Sequence, residues 1–131
     1  MPQQPAFRGF EDPGRKGLVS EKLAKAIVDL IVGKLGEDVL LLDIRGVSMI
    51  ADYFVICHGT SERQIQAIHE EVLTELGQMD IRPLHSEGTP TSGWLLMDYG
   101  SVIVHIFLPM TRSYYNLEQL WKDAKTVVRI L

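Results

Sequence analysis

His58-Gly59-Thr60-Ser61 follows the apolar run "ADYFVIC" and precedes a helical pattern. A strand, a glycine turn and a helix N-terminus together offer backbone N–H groups to an anion, and many phosphate sites are built this way. The further residues of a nucleotide loop are missing. A Walker loop needs G-x-x-x-x-G-K-[ST] and a dinucleotide loop needs G-x-G-x-x-G. A capped helix start after a tight turn explains the same four residues. Nucleotidyl transfer would also use a Gly-Ser turn at a helix start, with a D-x-D pair and a further carboxylate holding two magnesium ions. Asp98 could be that further carboxylate, but the chain contains no D-x-D. One carboxylate cannot clamp two metals. The four histidines, His58, His69, His85 and His105, lack ligand-like spacing. The single cysteine, Cys57, lies inside an apolar strand and reads as an inert buried thiol. Ser61, His105 and Asp98 are the residue types of a hydrolytic triad, yet nothing in the sequence brings them together. No catalytic set, cofactor or metal is expected.

The elements that would carry these residues fit in one domain of 131 residues. A composition of 46% hydrophobic and 23% charged residues is that of a globular protein. The formal net charge of −4 argues against a protein held by nucleic-acid phosphates and suits a basic partner. One cysteine allows no internal disulfide. No apolar run approaches the roughly 20 residues that span a bilayer, and no signal segment is visible, so a cytoplasmic location without membrane association is expected.

Met1 to Gly17 is rich in Pro, Gly and charge and reads as a flexible leader. Residues 18–131 form the domain. Ser20 is placed to cap a helix reaching about Leu35, with Leu23, Ile27, Leu30 and Ile31 as its apolar stripe and Gly36 as its stop. Val39 to Ile44 and Tyr53 to Cys57 read as buried strands. Ser61 caps a second helix with Gln64 in capping-box position, and Ile65, Ile68, Val72 and Leu76 form its buried stripe. Gly77 ends it. Ile81 to His85 reads as a short strand and Ser86 to Gly93 as a loop.

"GWLLMDYGSVIVHIFLP" is a hairpin with Tyr99-Gly100 at its turn. Pairing Asp98 with Ser101 sets Leu96 opposite Ile103 and Trp94 opposite His105. Trp94, Leu96, Asp98, Ser101, Ile103 and His105 then share one mixed face. Leu95, Met97, Val102, Val104 and Ile106 share a purely apolar face, which must lie under the helices. Pro109 ends the strand, and a last helical stretch runs from about Asn116 to Lys125. The fold class is an α/β single domain with a mixed sheet flanked by helices.

Four blocks, "ADYFVICHGTSERQIQAI", Glu87-Gly88, "GWLLMDYGSVIVHIF" and "YYNLEQLW", occur in the order and with the gaps of the ribosomal silencing factor, or Iojap, family. The chain resembles that family over about Leu18 to Asp123. The resemblance implies a nucleotidyltransferase-like fold without the catalytic carboxylate set, in agreement with the missing D-x-D. It implies no enzymatic activity and no cofactor. It also implies binding to the large ribosomal subunit through its protein numbered fourteen, where the bound factor sterically blocks small-subunit joining and represses translation when nutrients are scarce. That ribosomal protein is basic, which suits an acidic chain. Matching blocks place the family's contacts on Glu87, Trp94, Leu96, Asp98, Tyr99, His105, Leu117 and Glu118. A large-subunit assembly adaptor and a nucleotidyltransferase-like enzyme are the competing functions. A homodimer through the apolar parts of the same face would compete with the ribosome.

Overall fold

The structure is a computed structural model describing residues 16–131. The elements are α1 (Lys16–Gly33), β1 (Glu37–Asp43), β2 (Tyr53–His58), α2 (Glu62–Gln78), β3 (His85–Glu87), β4 (Trp94–Asp98), β5 (Val102–Phe107), α3 (Pro109–Tyr115), α4 (Leu117–Leu120) and β6 (Lys125–Ile130). One six-stranded sheet runs in the order β3-β4-β5-β2-β1-β6. Only β2 and β5 pair in parallel; the other neighbours are antiparallel. These two central strands are the continuous apolar runs, buried on both faces as that position requires.

α1 and α2 cover one face. Leu23, Ile27 and Ile31 of α1, with Ile65, Ile68, Val72 and Leu76 of α2, close over Val39, Leu41, Val55, Leu95, Met97, Val102, Val104 and Ile106. Ser61 caps α2 as expected, its Oγ accepting from the Gln64 N–H at 3.0 Å. Gln64 reaches back to the Thr60 N–H at 2.7 Å, and its Nε2 donates to the Leu35 carbonyl at 2.8 Å, tying the α2 start to the α1 end. The His58 to Ser61 turn thus serves as a helix start. Gly36 closes α1: its N–H donates to the Ile31 carbonyl at 2.9 Å behind Leu35, which takes the left-handed conformation at φ +63°.

Several expectations need correction. α1 begins at Lys16, so Ser20 is a buried residue inside the helix rather than its cap. The leader expectation for residues 1–15 lies outside the described residues, while Lys16 and Gly17 belong to α1. The short strand is His85–Glu87, not Ile81 to His85, because pairing with β4 starts opposite Asp98. The β4–β5 register is Asp98↔Ile103, Leu96↔His105 and Trp94↔Phe107, two positions from that expected. The turn residues are Gly100 and Ser101: the Tyr99 N–H donates to the Val102 carbonyl at 2.9 Å, and Asp98 Oδ1 accepts from the Gly100 N–H at 2.7 Å. Gly100 takes the left-handed φ of +87° that glycine adopts without strain, and the Ser101 N–H donates to the Tyr99 carbonyl at 3.1 Å across it. A shift of two preserves the pleat, so the division into two faces stands.

The largest difference is at the C-terminus. Pro109 ends β5 but also opens α3 as its first residue. α4 lasts a single turn, and Lys125, expected at the end of a helix, starts a strand that pairs antiparallel with β1.

Candidate functional site

The second face of the sheet is only half covered. Leu40, Leu42, Phe54, Ile56, Ile103 and Phe107 form its floor, with Leu117 of α4 packed on them and Trp94, Leu96, Trp121 and Ala124 around the margin. Among the described residues, no long helix lies here. What covers the floor is aromatic side chains and the two short helices.

Trp94 is the centre of this arrangement. Gly88, at φ +93°, and Gly93, at φ +78°, bracket it. A side chain at Gly88 would collide with the Trp94 carbonyl, and one at Gly93 with Thr111 of α3. The indole ring lies 5.0 Å from Phe107, 5.9 Å from His105 and 4.7 Å from Tyr115, centroid to centroid. Its Nε1–H donates to His105 Nδ1 at 3.2 Å. That bond fixes the tautomer: Nδ1 must accept, so the neutral ring carries its proton on Nε2. Phe54 stands edge-on to the imidazole at 4.7 Å. Burial pushes the His105 pKa down to about 4, consistent with a ring held neutral.

Beside Trp94 the face is apolar and partly open. Leu96 is half-buried, Tyr115 is 50% exposed and Tyr114 is 81% exposed, the two tyrosine rings touching edge to face at 5.1 Å. Toward the β3 edge the face turns acidic. Glu87 pairs across to Leu96, and His85 to Asp98. His85 Nε2 and Glu87 Oε1 are 2.6 Å apart, both side chains exposed. An aromatic and aliphatic centre with a polar rim is the anatomy of a protein-binding surface.

The residues expected as contacts separate into four groups. Trp94, Leu96, Asp98 and Glu87 lie together on the half-open face. His105 and Leu117 also belong to it but are buried beneath its surface, where they support what lies above. Tyr99 is on the other side, packed in the helix-covered core, with its hydroxyl pushed up to about 12 by burial. Glu118 is half-buried and accepts from Arg112 Nε at 3.1 Å. Tyr114 and Tyr115 were not among the expected contacts. Their signal was a pair of aromatics just after Pro109, legible only once Pro109 is read as a helix start.

Among the described residues, no group of three or more His, Cys, Asp or Glu side chains is placed to hold a metal ion. Cys57 is fully buried and its thiol is pushed up to about 12, far from a thiolate nucleophile at neutral pH. Ser61 Oγ is engaged in the helix cap and His105 Nδ1 by the indole. Among the described residues, no helix is long and apolar enough to cross a membrane.

Comparison with known proteins identifies relatives of this fold. Residues 18–130 match the family described as "Ribosomal silencing factor during starvation". The ribosomal silencing factor of Bacillus subtilis is 47% identical over 103 residues, covering 79% of this chain and 85% of that protein. A mouse protein named "Mitochondrial assembly of ribosomal large subunit protein 1" is 32% identical over 105 residues, covering 75% of this chain and 46% of that longer protein. A crystal structure of a Bacillus halodurans protein superimposes with a TM-score of 0.72 at 39% identity, covering 82% of this chain and 98% of that one.

Proposed function

The chain belongs to the ribosomal silencing factor family, and from that premise we propose that it is a non-enzymatic regulator of translation. It binds the large ribosomal subunit in the cytoplasm through the subunit's protein numbered fourteen and sterically blocks joining of the small subunit when nutrients are scarce. The binding surface is the half-open sheet face. The observation that carries this reading is Trp94. It is a large amphipathic ring, tethered by its N–H to a buried histidine and left partly open between Leu96 and Tyr115. Tryptophan held rigid in this way is the residue type most enriched among interface hot spots. Glu87 and Asp98 on the rim, in a chain of net charge −4, suit a basic protein surface and would steer its approach.

A second reading is favoured by the mouse relative, whose name is that of a large-subunit assembly protein. An assembly adaptor would use the same face without keeping the subunits apart. Sedimentation of purified subunits separates the two readings. The silencing factor co-sediments with large subunits and not small ones, and shifts mixed subunits away from the joined particle. Binding without that shift favours the adaptor, and no preference for the large subunit refutes both.

A further inference from the structure

α3 carries Tyr114 and Tyr115 to the half-open face, yet its only buried residue is Arg112. A seven-residue helix has little stability of its own, and here no apolar stripe ties it down. The arginine does. Its side chain is 7% exposed. Nε donates to Glu118 Oε2 at 3.1 Å in α4. Nη1 donates to the Asp38 carbonyl at 2.8 Å and to His58 Nδ1 at 2.9 Å. Nη2 lies 3.6 Å from Asp38 Oδ2. A guanidinium can only donate, so His58 must accept on Nδ1 and carry its proton on Nε2, 3.3 Å from Glu37 Oε1. Asp38 sits at the β1 bulge in the left-handed conformation, φ +44°, and Arg129 of β6 holds both its carboxylate oxygens at 3.0 Å. One side chain therefore fastens α3 and α4 to the ends of β1, β2 and, through Asp38, β6.

We propose that Arg112 is the positioning residue of the docking face: buried and touching no partner itself, it sets where α3 presents Tyr115 against Trp94. This rests on the reading of that face as the ribosome-binding surface. The rigid, planar fork of donors is what the role requires, so lysine cannot replace it.

The test uses the full chain carrying Trp121→Phe, which leaves Trp94 as the single reporter of its two tryptophans. In that background Arg112→Lys should still melt cooperatively, should shift Trp94 emission to longer wavelength as α3 moves off the indole, and should speed dissociation from purified large subunits at least tenfold. With Tyr115→Ala also present, the effect of Arg112→Lys on dissociation should shrink to less than twofold. A general loss of stability would instead add to that of Tyr115→Ala. A folded Arg112→Lys with unshifted emission, or with losses that add fully, overturns the proposal. Should Arg112→Lys not fold, Glu118→Gln takes its place, with a shift in the same direction expected and an unshifted emission overturning the proposal. Trp94→Ala, with both tryptophans otherwise native, is the control for the face itself. Wild-type dissociation there refutes the docking reading, while the emission result, which needs no ribosome, still decides whether Arg112 positions α3.

Discussion

The two faces of the sheet are built from the same strands and differ in what closes them. On one, Leu95, Met97, Val102, Val104 and Ile106 lie under two long helices whose apolar stripes join them in one core. On the other, Phe54, Ile103, His105 and Phe107 lie under side chains, a one-turn helix and a seven-residue helix anchored by an arginine. The first face is saturated over its central strands: Leu95, Met97, Val102, Val104 and Ile106 are all buried. The second leaves a tryptophan and two tyrosines partly in water, and it spends polar bonds on holding them still. Such a difference is the basis for proposing the first as a surface for folding and the second as a surface for binding.

Truncation of the saturated face should have the largest effect. Ile106→Ala should cost about 2–5 kcal/mol, since a fully buried side chain leaves a cavity. Leu96→Ala, on the open face of the neighbouring strand, should cost on the order of 1 kcal/mol. Equal losses in denaturant midpoint would erase the distinction between the faces. Next is acid. His105 is held neutral, its pKa depressed from 6.5 to about 4, so its unfolded state takes up the proton first. Stability from this residue is fully present above about pH 6.5, declines as pH falls, and is lost by about pH 4, on the order of 3 kcal/mol in all. His69, half-buried and also lowered, adds in the same direction. The open face should loosen first, seen as a change in Trp94 fluorescence in the Trp121→Phe chain before helix content falls. His105→Phe should flatten that part of the pH profile, and an unchanged slope would contradict the assignment.

Smaller effects sharpen the contrast. Ser61→Ala removes the α2 cap and should cost about 0.5–2 kcal/mol while leaving ribosome binding intact at low temperature. Lost binding in a folded Ser61→Ala protein would make the His58 to Ser61 turn a contact after all. Smallest in stability is Glu87→Lys, on an exposed edge, expected within about 0.5 kcal/mol by melting. It should slow association with large subunits at low salt, with the difference fading as salt screens it.

What the sequence could and could not reveal follows the same division. The start and buried stripe of α2 were legible, because Ser61, Gln64 and the four apolar positions after them are local signals, while its end runs past the expected Gly77 to Gln78, with Met79 as the C-cap. The two faces were legible because side-chain alternation depends only on parity, which survived a two-position error in register. The register itself depended on whether Tyr99 or Ser101 joins the turn, a choice made by Asp98 capping Gly100. β6 was not legible: "KTVVRI" follows a good helical segment, and only the open edge of β1, over 80 residues earlier, makes a strand of it. Of the expected contacts, the residues that alternate on β4 fell together, while Tyr99 lies in the helix-covered core because it continues the alternation of Leu95 and Met97. The role of Arg112 was beyond reach, since its partners Asp38 and His58 are 74 and 54 positions away.

The claim on which the rest depends is that Trp94 is held for a partner rather than for the fold. Trp94→Ala removes the indole and its bond to His105, so some loss of stability is expected, smaller than that of Ile106→Ala. Its binding to purified large subunits is the direct measurement, made beside a subunit-joining assay at a temperature where the variant is folded. The account predicts affinity lower by about 2 kcal/mol or more, at least roughly thirtyfold, and subunits that rejoin in its presence. A folded Trp94→Ala protein that binds and keeps the subunits apart as well as wild type would contradict it.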